Sequence, residues 1–351
     1  MSKSQKAEKG QFFTPRYVID MCVKMMNPSE EDSMIDTASG SCGFPMHTIF
    51  HVWNKINPTK HNFVNTKRSQ RETDYVDNKV FAIDFDEVCV RVGKMLNIIA
   101  GDGKTNVLEL NTLDYNVWNG SKYLKKPGWS EKYISGFQRL ERLADKNSKG
   151  KYTKYNFDLI LANPPFAGDR TDAKVIGLYE LGYNEKKKIK NIGRDILFIE
   201  RNLNFLKPGG RMGIVLPQGD FNNSSEKYLR DFIAEKCRIL AVVGLHPNTF
   251  LQHTGTKTSV LFVQKWTDEN CGFPNICPKP QPDENGNIDY PIFFATMQQP
   301  TVNNQKEKIY VTENYVTWTK YHYYIKNGEL KTTVEPQQTG WNTKEFIQDL
   351  F

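Results

Sequence analysis

No apolar run in this 351-residue chain is long enough to cross a bilayer, and no hydrophobic leader core follows Met1-Ser2-Lys3-Ser4. Neither a membrane-spanning helix nor a secretory leader is therefore expected. Cysteine is sparse: the six residues are scattered and form no CxxC pair. Cys271 and Cys277, the nearest two, make a poor zinc signature, so no metal site is expected and reduced thiols in a cytoplasmic setting are the simplest reading. Nuclease and helicase motifs are absent as well. With 38% hydrophobic and 25% charged residues, the composition is that of an ordinary globular protein with a full core. A net charge of +7 is modest and favours a polyanionic partner without specifying one.

What the chain does contain is the run Asp158-Leu159-Ile160-Leu161-Ala162-Asn163-Pro164-Pro165-Phe166. A short apolar stretch reads as a buried strand, and two prolines remove two backbone donors and end it. This leaves the Asn163 amide at a sheet edge, beside proline carbonyls and the Phe166 ring. Such a group suits a flat heteroaromatic amine, whose two N–H hydrogens meet two acceptors while its ring stacks.

Other strands expected from the pattern lie at 33–36, 80–86, 107–111, 211–217, 239–245 and 259–263. Amphipathic helices are expected after Thr14, which reads as a cap with Pro15 as first helical residue, and over 87–100 and 195–206. Strands alternating with helices predict an α/β fold, a doubly wound, mostly parallel seven-stranded sheet. Ligands of such sheets sit beyond the carboxyl ends of the strands. Asp36, the turn Gly40-Ser41-Cys42-Gly43, Asp84, Asn111 and Asn163 each follow a strand, so all are expected on one rim. Asp36 suits an ammonium group, Asp84 a ribose diol with Asp86 as the alternative, and Asn111 an adenine edge. The two glycines let a ligand approach the backbone.

Three segments interrupt the pattern with basic residues. Residues 55–78 carry Lys60, Lys67, Arg68 and Arg71; residues 120–154 mix lysines and arginines with Tyr123, Trp129, Tyr133 and Tyr152. Residues 167–193 hold Arg170, Lys174 and the run Lys186-Lys187-Lys188 directly after the tetrad, a candidate lid or DNA-contacting loop. A solvated charged face is the competing reading of each.

The ordered set Gln11-Phe12-Phe13-Thr14-Pro15, glycine turn, Asp84, Asn111 and Asn163-Pro164-Pro165-Phe166 resembles the gamma-class DNA adenine-N6 methyltransferases. Within them it is most similar to the modification subunit of type I restriction-modification systems. Phe198-Ile199-Glu200-Arg201, Lys207-Pro208-Gly209-Gly210, the 250–262 segment and Pro291-Ile292-Phe293-Phe294-Ala295 fit the same resemblance. It implies a Rossmann-like S-adenosylmethionine-dependent methyltransferase fold, with S-adenosyl-L-methionine contacted by Phe13, Thr14, Asp36, Ala38, Gly40, Gly43, Phe44, Asp84, Phe85, Asn111, Thr112 and Asn163. It further implies catalysis by Asn163, Pro164, Pro165 and Phe166 on a flipped-out adenine of double-stranded DNA. Phe250 is then expected on the base's other face, with an ordinary core phenylalanine as the alternative, and Lys186, Lys187 and Lys188 on the DNA.

The expected organisation is an N-terminal segment 1–32 carrying a cofactor motif, a catalytic domain 33–266 with insertions at 55–78, 120–154 and 167–193, and an extension 267–351 that contacts a partner or DNA. Three positions depart from the family pattern: Thr37 replaces a proline, Cys42 a glycine and Asn111 an aspartate. With no evident target-recognition domain, either a specificity subunit is the expected partner, or the chain is a fragment, or the enzyme reads little sequence, in a bacterial or phage-encoded system. The alternatives are a non-catalytic DNA-binding subunit and a methyltransferase acting on RNA or on protein glutamine.

Overall fold

The computed structural model describes residues 13–59, 67–99, 106–118, 131–148, 150–166, 168–184, 187–251, 254–284 and 288–298, plus strand segments at 310–311, 319–326, 329–336 and 344–345. Helix α1 (Arg16–Met26) leads to β1 (Met34–Asp36), α2 (Gly43–Ile56), α3 (Gln70–Lys79) and β2 (Val80–Asp84). Helix α4 (Glu87–Ile99), β3 (Asn106–Glu109), α5 (Glu131–Arg142) and β4 (Phe157–Ala162) follow. Then come α6 (Arg194–Phe205), β5 (Leu206–Pro217), α7 (Lys227–Lys236), β6 (Cys237–Gly244), β7 (Thr258–Lys265) and β8 (Phe293–Thr296).

These eight strands form one sheet in the order β3-β2-β1-β4-β5-β7-β6-β8. Seven are the strands expected from the pattern. The eighth, β8, pairs parallel with β6, so the sheet continues past residue 266 into the segment Pro291–Ala295 singled out above. Only β7 runs against its neighbours, antiparallel to both β5 and β6.

Side-chain alternation explains the continuous apolar run of β4. Leu159 and Leu161 enter one buried cluster with α1 and α2, while Ile160 and Ala162 enter the other with α5 and α6. A parallel strand covered on both faces must be apolar on both. From β1 the chain proceeds outward to β2 and β3, then returns to β4 on the other side of β1. That reversal opens a crevice at the carboxyl ends of β1 and β4.

The basic insertions are partly structural. From 55–78, Tyr75 and Val76 of α3 are buried, and the helix begins with a capping box between Ser69 and Glu72. From 120–154, Phe137, Leu140 and Tyr152 join the core beneath Trp118, next to Tyr155 just past the insertion. Trp129, Tyr123 and Lys60 lie outside the described residues.

Candidate active site

The crevice holds a cleft of about 360 Å³ lined by the three β-strand turns, Asn163, Pro164 and Pro165, and two arginines. Parallel register sets its floor: Asp36 lies opposite Ala82, and Asp84 opposite Glu109, so consecutive strands end at nearly one level.

Asp84 ends β2 and lines the cleft, 8% exposed. Its carboxylate accepts from the amides of Gly40 and Asp86, each at 2.8 Å, which ties the glycine turn to the second strand. Burial raises its pKa to about 6 in spite of those bonds. Phe85, the next residue, is 64% exposed and offers a flat wall beside that carboxylate. Asp86, the alternative ribose acceptor, instead accepts from the Val88 amide at 2.8 Å at the start of α4.

The glycine turn explains two departures from the family pattern. Gly40 has φ +51°, and a Cβ built there meets nothing within 4 Å, so the backbone lies open to the cleft. Thr37 donates from its hydroxyl to Asn202 Oδ1 at 2.6 Å, and its carbonyl accepts from Thr112 Oγ1 at 2.6 Å. A proline at 37 has no hydroxyl, so the threonine adds a tie between this turn and helix α6. Cys42 has φ +65° just before α2, where glycine is the unstrained residue.

Asn111 lines the cleft two residues past the end of β3. Its Oδ1 accepts from the amides of Leu113 and Asp114 at 3.2 and 3.1 Å, an Asx turn that an aspartate performs equally well. The asparagine therefore keeps the turn and adds an Nδ2 donor.

The tetrad follows β4. Asn163 Nδ2 donates to Thr14 Oγ1 at 3.0 Å, while Asn163 Oδ1 is buried and has no hydrogen-bond partner among the described residues. Thr14 was expected to cap the first helix; α1 begins at Arg16, Pro15 is its cap residue, and no side chain caps it. The Thr14 hydroxyl orients the Asn163 amide instead. Pro164 and Pro165 line the cleft beside it.

Not every expected residue reaches the cleft. Phe13, Ala38, Gly40, Asp84, Phe85, Asn111, Thr112 and Asn163 line it; Thr14, Asp36, Gly43 and Phe44 do not, and neither does Phe166, which packs partly buried against the core. Asp36 is 1% exposed, its carboxylate accepts from the Ala38 amide at 3.0 Å, and burial raises its pKa well above the usual range. It holds the turn from below. Gly43 and Phe44 begin α2; a Cβ on Gly43 would come within 2.6 Å of Ile19 Cδ1, so this glycine serves the α1–α2 packing.

Phe250 is 1% exposed and meets Phe166 edge to face, with ring centroids 5.8 Å apart. No base fits between rings in that arrangement, so Phe250 buttresses Phe166 from the core. Lys187 and Lys188 are exposed on a short hairpin with Tyr183 and Asn184, and Lys188 Nζ donates to the Ala173 carbonyl at 3.0 Å. Lys186 lies outside the described residues. The 168–193 segment is anchored: Val175, Ile176, Tyr179 and Leu181 are buried, and Glu200 accepts from the amides of Glu180 and Leu181 at 2.8 Å each.

Arg170 and Arg194 line the cleft and were not among the site residues expected from sequence. Arg170 was visible only as one charge in a basic run, and Arg194 carried no signal at all. A two-residue antiparallel ladder, Asp169 opposite Gly193 and Arg170 opposite Ile192, brings them together.

The family model described as N-6 DNA Methylase matches residues 1–320. Among curated proteins, the type I restriction enzyme EcoEI methylase subunit of Escherichia coli is 24% identical over 260 residues, 73% of this chain and 42% of the relative. The Escherichia coli type II restriction enzyme and methyltransferase RM.Eco57I is 29% identical over 128 residues, 35% of this chain and 13% of the relative. This chain thus spans less than half the length of either. The solved EcoKI M protein superposes with TM-score 0.55 at 17% identity, covering 85% of this chain and 51% of that one. A modification subunit of a putative type I restriction enzyme from Vibrio vulnificus gives 0.53 at 18%, covering 83% and 50%. The sheet order, the rim of turns and the Asn163 tetrad are thus found together in a chain that belongs to the N-6 DNA methylase family.

Proposed function

We propose that this chain transfers a methyl group from S-adenosylmethionine to the N6 amine of an adenine flipped out of double-stranded DNA. It would serve as the modification component of a restriction-modification system, working in the cytoplasm with a separate specificity subunit. The observation that carries this reading is Asn163 Oδ1: a buried acceptor with no partner among the described residues, beside the Pro164 carbonyl, at the cleft. A buried acceptor without a donor costs roughly 1–3 kcal/mol, and an incoming N–H removes that cost.

The cofactor's shape and chemistry fit the remaining lining. Asp84 would accept from the ribose hydroxyls, Phe85 would stack on the cofactor's adenine, and the Gly40 backbone leaves room for close approach. Asn111 Nδ2 would donate to a ring nitrogen, and Phe13 would close the cleft over the amino-acid end. The bound cofactor supplies an electrophilic methyl carried on a sulfonium.

The protein's part is positional and electrostatic. Adenine N6 is a poor nucleophile because its lone pair is delocalised into the ring. Asn163 Oδ1 and the Pro164 carbonyl, by accepting its two hydrogens, would favour a tetrahedral nitrogen and localise the lone pair toward the methyl. Thr14 holds the Asn163 amide so that oxygen, not nitrogen, faces the substrate. Phe166, backed by Phe250, would stack on the extruded base, whose flipping costs about a few kcal/mol. The part of 267–351 beyond the sheet strand Phe293–Thr296 would contact the partner or the DNA.

The test is tritiated methyl transfer to mixed-sequence duplex DNA, followed by digestion to nucleosides. Label in N6-methyldeoxyadenosine is expected, and its loss in Asn163→Ala with cofactor affinity within about threefold of wild type. Unchanged transfer by that variant would overturn the assignment. Cofactor binding without transfer by this chain alone would point to a missing specificity subunit, and failure to bind the cofactor would favour a non-catalytic subunit.

A further inference from the structure

Arg170 and Arg194 face the same cleft as Asn163 but have no part in the chemistry above. The antiparallel ladder between 169–170 and 192–193 sets them side by side. Arg194 is fixed in place: its Nε donates to the Gly168 carbonyl at 3.0 Å, and Gly168 has φ +88°. A Cβ at Gly168 would come within 2.3 Å of the Arg194 Nη2 and would displace the guanidinium, and the φ of +88° itself favours glycine there. Arg170 Nε is buried with no hydrogen-bond partner among the described residues. Asp195 and Asp169 offset part of the Arg194 charge, but two guanidinium groups held together at a cleft, one with an unsatisfied donor, still suit an anion between or against them.

The proposed reaction offers two anions, the cofactor's carboxylate and a phosphate of the flipped nucleotide. The cofactor groups come from the turns after β1, β2 and β3. The arginines come from the segment that follows the Asn163 tetrad, on the substrate side. Two guanidinium forks match the two non-bridging oxygens of a phosphodiester. We propose that Arg170 and Arg194 form a phosphate clamp that holds the nucleotide carrying the target adenine. The inference rests on the function proposed above and specifies its substrate contact. The extruded base would be held at three points: Phe166 on the ring, Asn163 and Pro164 on the amine, and the arginine pair on the phosphate.

The experiment titrates deoxyadenosine 5′-monophosphate and deoxyadenosine into protein saturated with S-adenosylhomocysteine, for the wild type, Arg170→Gln, Arg194→Gln and the double variant. The wild type is expected to bind the nucleotide at least about tenfold more tightly than the nucleoside, with each single variant losing part of the difference and the double variant losing it. Affinity for S-adenosylhomocysteine should stay within about twofold throughout. Thermal melts verify that each variant is folded, and Arg194→Lys, which keeps the charge, should retain part of the discrimination. Equal wild-type affinity for nucleotide and nucleoside would overturn the clamp, as would discrimination surviving in the folded double variant. A large loss of S-adenosylhomocysteine affinity would assign the arginines to the cofactor's carboxylate instead and also overturn it. Failure of the wild type to bind S-adenosylhomocysteine would overturn the proposed function and the clamp together, so the two failures are distinguishable.

Discussion

Arg201 is the most demanding residue in the core, and replacing it by lysine should be more damaging than its chemistry suggests. It is 0% exposed and donates three hydrogen bonds, all to main-chain carbonyls: Nε to Thr112 at 3.0 Å, Nη1 to Thr153 at 2.7 Å and Nη2 to Tyr152 at 2.9 Å. Its guanidinium lies 4.4, 4.3 and 5.4 Å from the ring centres of Tyr115, Phe205 and Trp118. One cation thus joins α6 to the insertion at 152–153 and to the Thr112 loop on the cleft. A lysine ammonium in the same hole reaches one of the three carbonyls. Two buried carbonyls then lose their donors, at roughly 1–2 kcal/mol each, and the planar stacking on the rings is worth about another 1 kcal/mol. Arg201→Lys should therefore cost about 3–5 kcal/mol, which lowers the melting temperature by about 10 °C for a domain of this size. Arg201→Met strands all three carbonyls but removes the buried charge, so lysine should be no better than methionine. Urea unfolding followed by circular dichroism measures both, as a shift in midpoint at unchanged slope. An Arg201→Lys protein within about 1 kcal/mol of wild type would refute the three-carbonyl account.

Other consequences are as direct. Burial raises the Asp84 pKa to about 6, so its native carboxyl is the more readily protonated form. Its share of stability is therefore full below about pH 4 and is lost as pH rises through about 6. Cofactor affinity runs the opposite way, because a protonated carboxyl has lost acceptor capacity; calorimetric titrations should show weaker S-adenosylmethionine binding at pH 5.5 than at 7.5, and a flat profile would remove Asp84 from the ribose. At Cys42, where φ is +65°, Cys42→Gly should be about 1 kcal/mol more stable than Cys42→Ala, since both lose the thiol and only alanine keeps the left-handed strain. Equal midpoints would show that the backbone relaxes. Neutralising exposed Lys187 and Lys188 should reduce the slope of log affinity for duplex DNA against log salt by up to about two, and an unchanged slope would return the pair to ordinary solvated surface.

The sequence by itself determined the layered α/β architecture and the rim on which the site is built. The apolar runs at 80–84 and 159–162 can be buried only with cover on both faces, and prolines 164 and 165 can only end a strand. Asp84, the Gly40 turn, Asn111 and Asn163 each follow a strand, and parallel register carries that local fact to a common edge. Tertiary structure decided which of these groups face the cleft. Asp36 and Asp84 look equivalent as acids ending strands, yet one is sealed beneath a turn and the other opens to the crevice, because the register sets Asp36 level with Ala82, two residues deeper in the sheet than Asp84. Thr14 reads as a helix cap until the fold brings Asn163 against it from a distant strand. Phe250 reads as a partner for the base until it packs against the edge of Phe166. Arg170 and Arg194 meet only through a two-residue ladder too short to leave a periodic signal. Residue type and spacing report what a side chain is able to do; contacts between distant strands and loops settle what it faces.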